Sequence, residues 1–389
     1  MNTYITLLVY PILIILLLVN SKFAGKNEFN NEWSSIGQSK AILGFISICI
    51  VCHHTAQQTS VVWLESGNIV NGLNFFNDIG FVLVSLFFFW SGYGLFKSTI
   101  KKQRYLSGFI KKRLVPVWIP YFVVCLLFTF LRLFILDEKM STTYKVTNFT
   151  GITTGYSYGW YIQAIIIFYL LYYIAFKYGA YEFDKISFVW AGTFLWIATG
   201  ICIDHNAWFM RGEWWYNSVI LFPIGVTFAK FDSEIIDFLK KKYMLYTVCS
   251  LILTVIFMGF YKIMEGEYGY YGEVMGVKTG IKILWRIMTL APQILCAISF
   301  VLFTIMLSLK LCIGNRALKF LGEHTLEVYL THGFFLDPLA AKYNYAKESM
   351  FFGRPWLLLL VTIIFTIPSA YLLKKLTGVV LKVIDRNRK

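Results

Sequence analysis

Two adjacent histidines, His53 and His54, stand in the uncharged stretch from Ala41 to Trp63, and a third, His332, stands in another apolar segment. An imidazole titrates near neutrality, which makes it the natural general base for taking a proton from a hydroxyl. Ionisable side chains at bilayer depth are costly and survive there mainly where they face a polar cavity or a partner. On an ideal helix His54 lies about 21 Å along the axis from Lys40 and roughly 40° around it, so the two share a face at different depths. A buried histidine that only bonds a neighbouring helix fits the same pattern, and the doublet alone leaves both readings standing.

Ser91 lies in the run Phe87-Phe88-Phe89-Trp90-Ser91-Gly92-Tyr93-Gly94. Small residues of this kind let a partner helix approach closely. No strand-turn-helix context makes Ser91 a nucleophile, so a packing or supporting hydrogen-bond role is expected. Further on, Lys111, Lys112 and Arg113 precede Pro116 and Pro120. Adjacent cations on an irregular backbone suit a phosphate or pyrophosphate. The whole connection Lys97–Arg113 holds seven basic residues and no acid. Near the C-terminal end, Glu327, Tyr329 and His332 follow one another on one segment. Glu327 and His332, five residues apart, are not face to face, so either needs a partner from another helix.

These side chains need long apolar elements to hold them. Hydrophobic residues make up 58% of 389 positions and charged residues 15%, a composition matched to lipid rather than to a water-soluble domain. Spans of about 20 apolar residues are expected at 4–20, 41–62, 74–96, 115–136, 158–177, 186–203, 216–230, 242–262, 283–309, 324–340 and 356–374. The fold class is therefore all-α, a polytopic membrane bundle of about 11 transmembrane helices. The first segment lacks a basic leader and a clean small-residue cleavage site, and is expected to be a span rather than a signal peptide.

If odd-numbered spans run inward, the inner connections hold 25 of the 36 Lys and Arg residues, while the acids divide about evenly. Basic residues collect on the cytoplasmic side, so the N-terminus is expected outside and the C-terminus inside. The positive charge is a topology signal spread over six loops and calls for no nucleic acid. The seven cysteines fall in or at the ends of spans, where they act as small apolar residues. Cys49-Ile50-Val51-Cys52-His53 matches the haem-attachment pattern, but it lies mid-span, where that chemistry has no accessible loop. Neither haem nor metal is expected. Outside, the stretch 137–157 is rich in Thr, Ser and Tyr, and 263–281 sets Tyr268, Tyr270 and Tyr271 beside Glu265, Glu267 and Glu273. They suit carbohydrate contact or an interfacial aromatic belt.

Taken in order, the strings from Lys40 through His53-His54-Thr55, Phe87 to Gly94, Lys111 to Tyr121, Trp160-Tyr161, Trp215 to Ser218 with Phe222-Pro223-Ile224-Gly225, and Leu321-Gly322 to His332 resemble the acyltransferase-3 family of integral-membrane acyltransferases. The resemblance implies a ten-helix core, here 38–376, preceded by one extra N-terminal helix, 1–20, and followed by a basic cytoplasmic tail, 377–389. It implies O-acyl transfer, acetyl foremost, from cytosolic acyl-coenzyme A to a hydroxyl of a surface glycan or lipid-linked sugar at a bacterial cytoplasmic membrane. Its catalytic histidine follows a basic residue by eleven positions, which sets His54 as the base, with His53 beside it. Leu43 stands at that basic position, and Lys40, one turn earlier, is its substitute. Pro116 stands where many relatives carry another cation. Lys40, Lys111, Lys112 and Arg113 are expected to hold the coenzyme phosphates. Tyr329, His332 or Ser91 is expected to donate to the oxyanion. Direct attack and an acyl-histidine step both remain open.

A sugar or lipid transporter would share the polytopic helices and intramembrane ionisable groups. It would also show matching halves, and the chain has no such internal echo. A catalytically inactive sensor of the same family is the other alternative. The chain itself points to no oligomeric state.

Overall fold

The computed structural model describes residues 2–60, 71–102, 104–135, 137–153, 156–205, 210–268, 278–345 and 350–386. Its helices are α1 (Asn2–Leu7), α2 (Val9–Leu18), α3 (Ile36–Thr59), α4 (Gly80–Lys101), α5 (Val115–Phe130), α6 (Thr142–Thr150), α7 (Trp160–Tyr178), α8 (Glu182–Cys202), α9 (Leu221–Lys230), α10 (Asp232–Lys241), α11 (Tyr243–Tyr268), α12 (Thr279–Ser308), α13 (Arg316–Glu323), α14 (Thr325–Tyr345) and α15 (Pro355–Arg386). Wide π-type turns at Ile110–Leu114 and Leu131–Ile135 extend α5 at both ends. The molecule is an all-α bundle, as expected. The only strands among the described residues are β1 (Lys22–Phe23) and β2 (Leu311–Cys312), a two-residue antiparallel pair. Tyr270, Tyr271 and Glu273 lie outside the described residues, as do positions 61–63 of the uncharged stretch.

Each of the eleven expected spans falls on a helix, but they are not equivalent. Among the described residues, eight helices are long and apolar enough to cross a membrane. The N-terminal pair Thr3–Leu18 and α9 are apolar but shorter, and α14 carries Glu327, Asp337 and Lys342 along its length. Hydropathy marks a segment as apolar; it does not say whether the helix inside it is long enough to span.

Helices α3 and α4 form the centre, with most of their surface covered by protein, while α11 lies at the rim against α12. Small residues set the closest crossings. A methyl on Gly92 would meet the Phe222 carbonyl oxygen at 2.1 Å, and one on Gly225 would meet the Phe89 carbonyl oxygen at 2.2 Å, so α4 and α9 touch backbone to backbone. Gly44 and Gly322 do the same for α3 and α13, against the carbonyls of Leu318 and Lys40. Ser35 caps α3 by accepting the Gln38 N–H at 3.2 Å.

Polar contacts gather at the two ends of the bundle. At one end Lys97 pairs with Asp232, Lys40 with Glu323 and Lys230 with Glu182. There too the Lys310 ammonium donates to the Gly25 and Lys26 carbonyls at 2.7 and 3.0 Å, pinning the 22–33 strap to the end of α12. At the other end Lys262 pairs with Asp78, and Lys282 with Asp204. Every one of these pairs joins segments that the loop-charge argument puts on a single side.

Candidate active site

The residues Ser39, Leu43 and Ile50 recur at helical spacing on one face of α3, and His54 follows Ile50 by one further turn. The first three line a cavity of about 940 Å³ enclosed by α3, α4, α7 and α14. Lys97, Lys101, Lys102 and Arg113 stand at its mouth. Its inner walls are largely apolar, with Val84, Phe87 and Ile165, and are interrupted by the hydroxyls of Ser91, Tyr161, Tyr169 and Tyr329. The cavity thus reaches Tyr329, whose ring centroid is 6.4 Å from that of His54.

At the inner end two imidazoles from distant helices meet. His54 Nδ1 lies 2.6 Å from His332 Nε2, and His332 Nδ1 lies 3.3 Å from the Val328 carbonyl oxygen. A carbonyl only accepts, so His332 must carry its proton on Nδ1 and leave Nε2 as an acceptor. His54 then donates from Nδ1, and its own Nε2 keeps the lone pair. This hydrogen-bond chain has one self-consistent proton arrangement, and in it His332 fixes the tautomer of His54 much as the carboxylate fixes the histidine of a catalytic triad. His332 is fully enclosed at 0% exposure while His54 retains 9%, so of the two only His54 offers surface to an incoming group.

His53 is placed differently. Its Nδ1 donates to the Phe76 carbonyl at 2.6 Å, and its Nε2 is pressed onto Gly80, where even a methyl group would come within 2.2 Å. Both ring nitrogens are therefore occupied or covered, and His53 ties α3 to the start of α4.

The Tyr158 ring packs on His54 with centroids 4.3 Å apart. Its hydroxyl donates to Asp337 at 2.8 Å, and Gln58 Nε2 reaches the same hydroxyl at 3.5 Å. Gln58 is one turn beyond His54, and Asp337 just over one turn beyond His332, so this polar cluster lies on the far side of the dyad from the cavity. Tyr329 donates its hydroxyl to the Tyr158 backbone carbonyl at 2.6 Å. That donor is therefore already engaged.

Among the expected phosphate ligands, Arg113 lines the cavity, with its guanidinium over the Tyr105 ring and Nε donating to the Tyr105 hydroxyl at 2.6 Å. Lys111 and Lys112 sit on the same π-turn but away from the cavity lining. Lys40 is turned to Glu323 at 3.0 Å, and its ammonium holds that carboxyl below the usual carboxylate range. Leu43, in contrast, faces the cavity. Ser91 faces it as well.

Lys97, Lys101 and Lys102 at the mouth, and Tyr158 with Asp337 behind the dyad, escaped residue-by-residue reading of the sequence. The seven-cation connection signalled the first three as a group without ranking them. Nothing in the local sequence marked Asp337, whose partner is 179 positions away.

The family model described as an acyltransferase domain, Acyl_transf_3, matches residues 42–375, and the chain belongs to that family. No match was found among curated proteins or among solved structures.

Proposed function

We propose that this membrane acyltransferase moves an acyl group, acetyl foremost, from cytosolic acyl-coenzyme A to a hydroxyl of a surface glycan or lipid-linked sugar, with His54 as general base. The observation that carries this reading is the cavity itself, which is lined by Lys101, Lys102, Arg113 and the Lys97–Asp232 pair and runs to the last helical turn before His54. Coenzyme A has that polarity, with phosphates at one end and a long, weakly polar arm leading to the thioester at the other. Cations at the mouth would take the phosphates, and the arm would lie along the inner walls.

In the reaction, His54 Nε2 takes the proton of the acceptor hydroxyl as its oxygen attacks the thioester carbonyl. The charge that develops on the imidazole is shared with His332 across the 2.6 Å contact. The tetrahedral intermediate collapses with cleavage of the C–S bond, and the proton passes from His54 to the departing thiolate, releasing coenzyme A and the ester. Direct attack uses one base and no covalent enzyme intermediate, which suits a histidine whose other nitrogen is held as a donor.

The Gln58–Tyr158–Asp337 cluster offers acceptors and donors to a polyol on the side of the dyad away from the donor cavity. The two substrates would then approach His54 from opposite directions. This agrees with a cytosolic donor, an acceptor presented outside, an outer N-terminus and an inner C-terminus, in the cytoplasmic membrane of a bacterium. Reconstitution with radiolabelled acetyl-coenzyme A and a cell-surface glycan extract tests the reading. Label should appear in glycan for wild type and be lost for His54→Ala; transfer that survives this change removes His54 as the base.

A further inference from the structure

Segment 156–159 lies against α14 beside the two imidazoles, and phenol hydroxyls join the two elements. The Tyr156 hydroxyl donates to the Tyr329 carbonyl at 3.3 Å and accepts the Gly333 N–H at 3.2 Å. In the opposite sense, the Tyr329 hydroxyl donates to the Tyr158 carbonyl at 2.6 Å. The Tyr158 hydroxyl then reaches Asp337, one turn beyond Gly333. The clasp is reciprocal, since each element supplies both a phenol and a backbone carbonyl.

In an ideal helix the Tyr329 carbonyl and the Gly333 N–H close one turn of α14, and His332 stands inside that turn. A side chain inserted into this ladder is one of the few causes of a local bend in a helix, so Tyr156 sets the tilt of the turn that carries His332. Position 333 has no room for anything but hydrogen. A methyl there would lie 2.3 Å from the Tyr158 ring and 2.7 Å from the Tyr156 hydroxyl, and would push the clasp away. Tyr156 is fully enclosed, with Phe128 edge-on at 5.2 Å. The Tyr158 ring covers both imidazoles, with centroids 4.3 Å from His54 and 4.9 Å from His332.

The proton order of the two histidines depends on this placement. His332 Nδ1 meets the Val328 carbonyl at 3.3 Å, already at the long end for such a bond. A small rotation of the 328–333 turn would break it and free His332 to carry its proton on Nε2. His54 Nδ1 would then face a donor, and the direction of the pair would be lost.

We infer that Tyr156 and Tyr329 are positioning residues for the His54–His332 pair, an inference that rests on the assignment of His54 as base above. Both hydroxyls act through His332 by holding the turn in which the Val328 carbonyl selects its tautomer.

The test is a double-mutant cycle on full-length protein in lipid nanodiscs, following acetyl transfer from acetyl-coenzyme A to the glycan extract per folded molecule. Tyr156→Phe keeps the ring and removes the hydroxyl. It should lower kcat about tenfold, the scale of one buried hydrogen bond, and leave donor KM within about twofold, because no ground-state contact with the donor is lost. Tyr329→Phe should behave alike. In a His332→Leu background, where no tautomer remains to be set, Tyr156→Phe should lower kcat by less than about twofold. If Tyr156→Phe yields no folded protein, the Tyr329→Phe cycle with His332→Leu decides by the same criterion. Nitrogen NMR spectra of histidine-labelled protein in bilayers give a second readout. The His332 signals, identified by their loss in His332→Leu, should report a protonated Nδ1 in wild type and a mixture of tautomers in the phenylalanine variants. Equal falls in kcat in both backgrounds, a wild-type kcat, or an unchanged His332 tautomer overturns the inference alone. Wild type without transfer, or transfer that survives His54→Ala, overturns the reading above and the inference with it.

Discussion

His54 Nδ1 and His332 Nε2 are 2.6 Å apart with ring planes 8° from parallel, although the two residues are separated by 278 positions. Since His332 can accept only if its Nδ1 is protonated toward Val328, the pair has a direction: His332 orients His54, which the proposed reaction uses as its base. Replacing His54 with Ala should lower kcat about 10²- to 10⁴-fold. A His332→Leu variant should show a similar fall in kcat with little change in KM for the donor. His332→Gln, whose amide oxygen can still accept from His54, should recover part of the rate. Steady-state kinetics on the three variants check this, and a His332→Leu enzyme with wild-type kcat would remove His332 as the orienting group.

His53 is expected to matter for folding rather than for chemistry. Gly80→Ala would drive a methyl into the His53 ring, 2.2 Å from Nε2. Overpacking of this kind typically costs about 1–3 kcal/mol. Thermal unfolding in detergent should show Gly80→Ala less stable than wild type, and the His53→Ala/Gly80→Ala pair less destabilised than the sum of its single changes. Per folded molecule, His53→Ala should still turn over.

The basic residues divide by what they face. Removing Arg113, which lines the cavity, should raise the donor KM about tenfold or more, the usual scale for a charge-assisted contact, and should make KM less sensitive to salt. Lys40→Ala should leave donor KM within about twofold, a shift too small to represent loss of a charge-assisted contact, because Lys40 is engaged by Glu323 and lies off the cavity. Initial-rate measurements over a range of ionic strength separate the two.

The Lys40–Glu323 pair also sets a modest pH dependence of stability. Lys40 lowers the Glu323 carboxyl in the folded protein, so the stabilisation is complete above the carboxyl's unfolded value and is lost as pH falls through its folded value. The two side chains are 39% and 52% exposed, so solvent screening limits the effect to under about 1 kcal/mol. Thermal midpoints of wild type and Glu323→Gln should differ slightly at neutral pH and converge below pH about 3, beneath the usual carboxylate range; a gap that widens on acidification would contradict the assignment.

Two glycines in one short motif should respond in opposite ways. A methyl at Gly92 meets backbone at 2.1 Å, whereas a Cβ at Gly94 meets nothing within 4 Å and projects into the cavity. Gly92→Leu should therefore fail to yield folded protein. Gly94→Leu should fold with a near-normal melting temperature yet obstruct the donor route, lowering coenzyme A binding. Expression, melting temperature and binding of the two variants give the comparison directly.

Much of this was legible along the chain. Eleven apolar segments, each of which falls on a helix, follow from composition because a bilayer selects every long element independently of its neighbours. The cation-rich connection and the ordered motifs led to the family. His54 was distinguished from His53 only by its spacing within the family pattern.

The physical distinction between the two histidines belongs to the tertiary structure. Adjacent residues on a helix point about 100° apart, so one faces Gly80 and Phe76 while the other faces α14, and no property of the local sequence says which neighbour each direction holds. The same applies to Lys40 and Arg113, equal as cations in the sequence, one of them engaged by Glu323 and the other turned to the cavity. Residue types and period determined which elements form and which side chains share a face. What those faces meet is set by helix crossings such as Gly92 on Gly225, which bring together residues hundreds of positions apart, and only there did a histidine become one half of a directed pair.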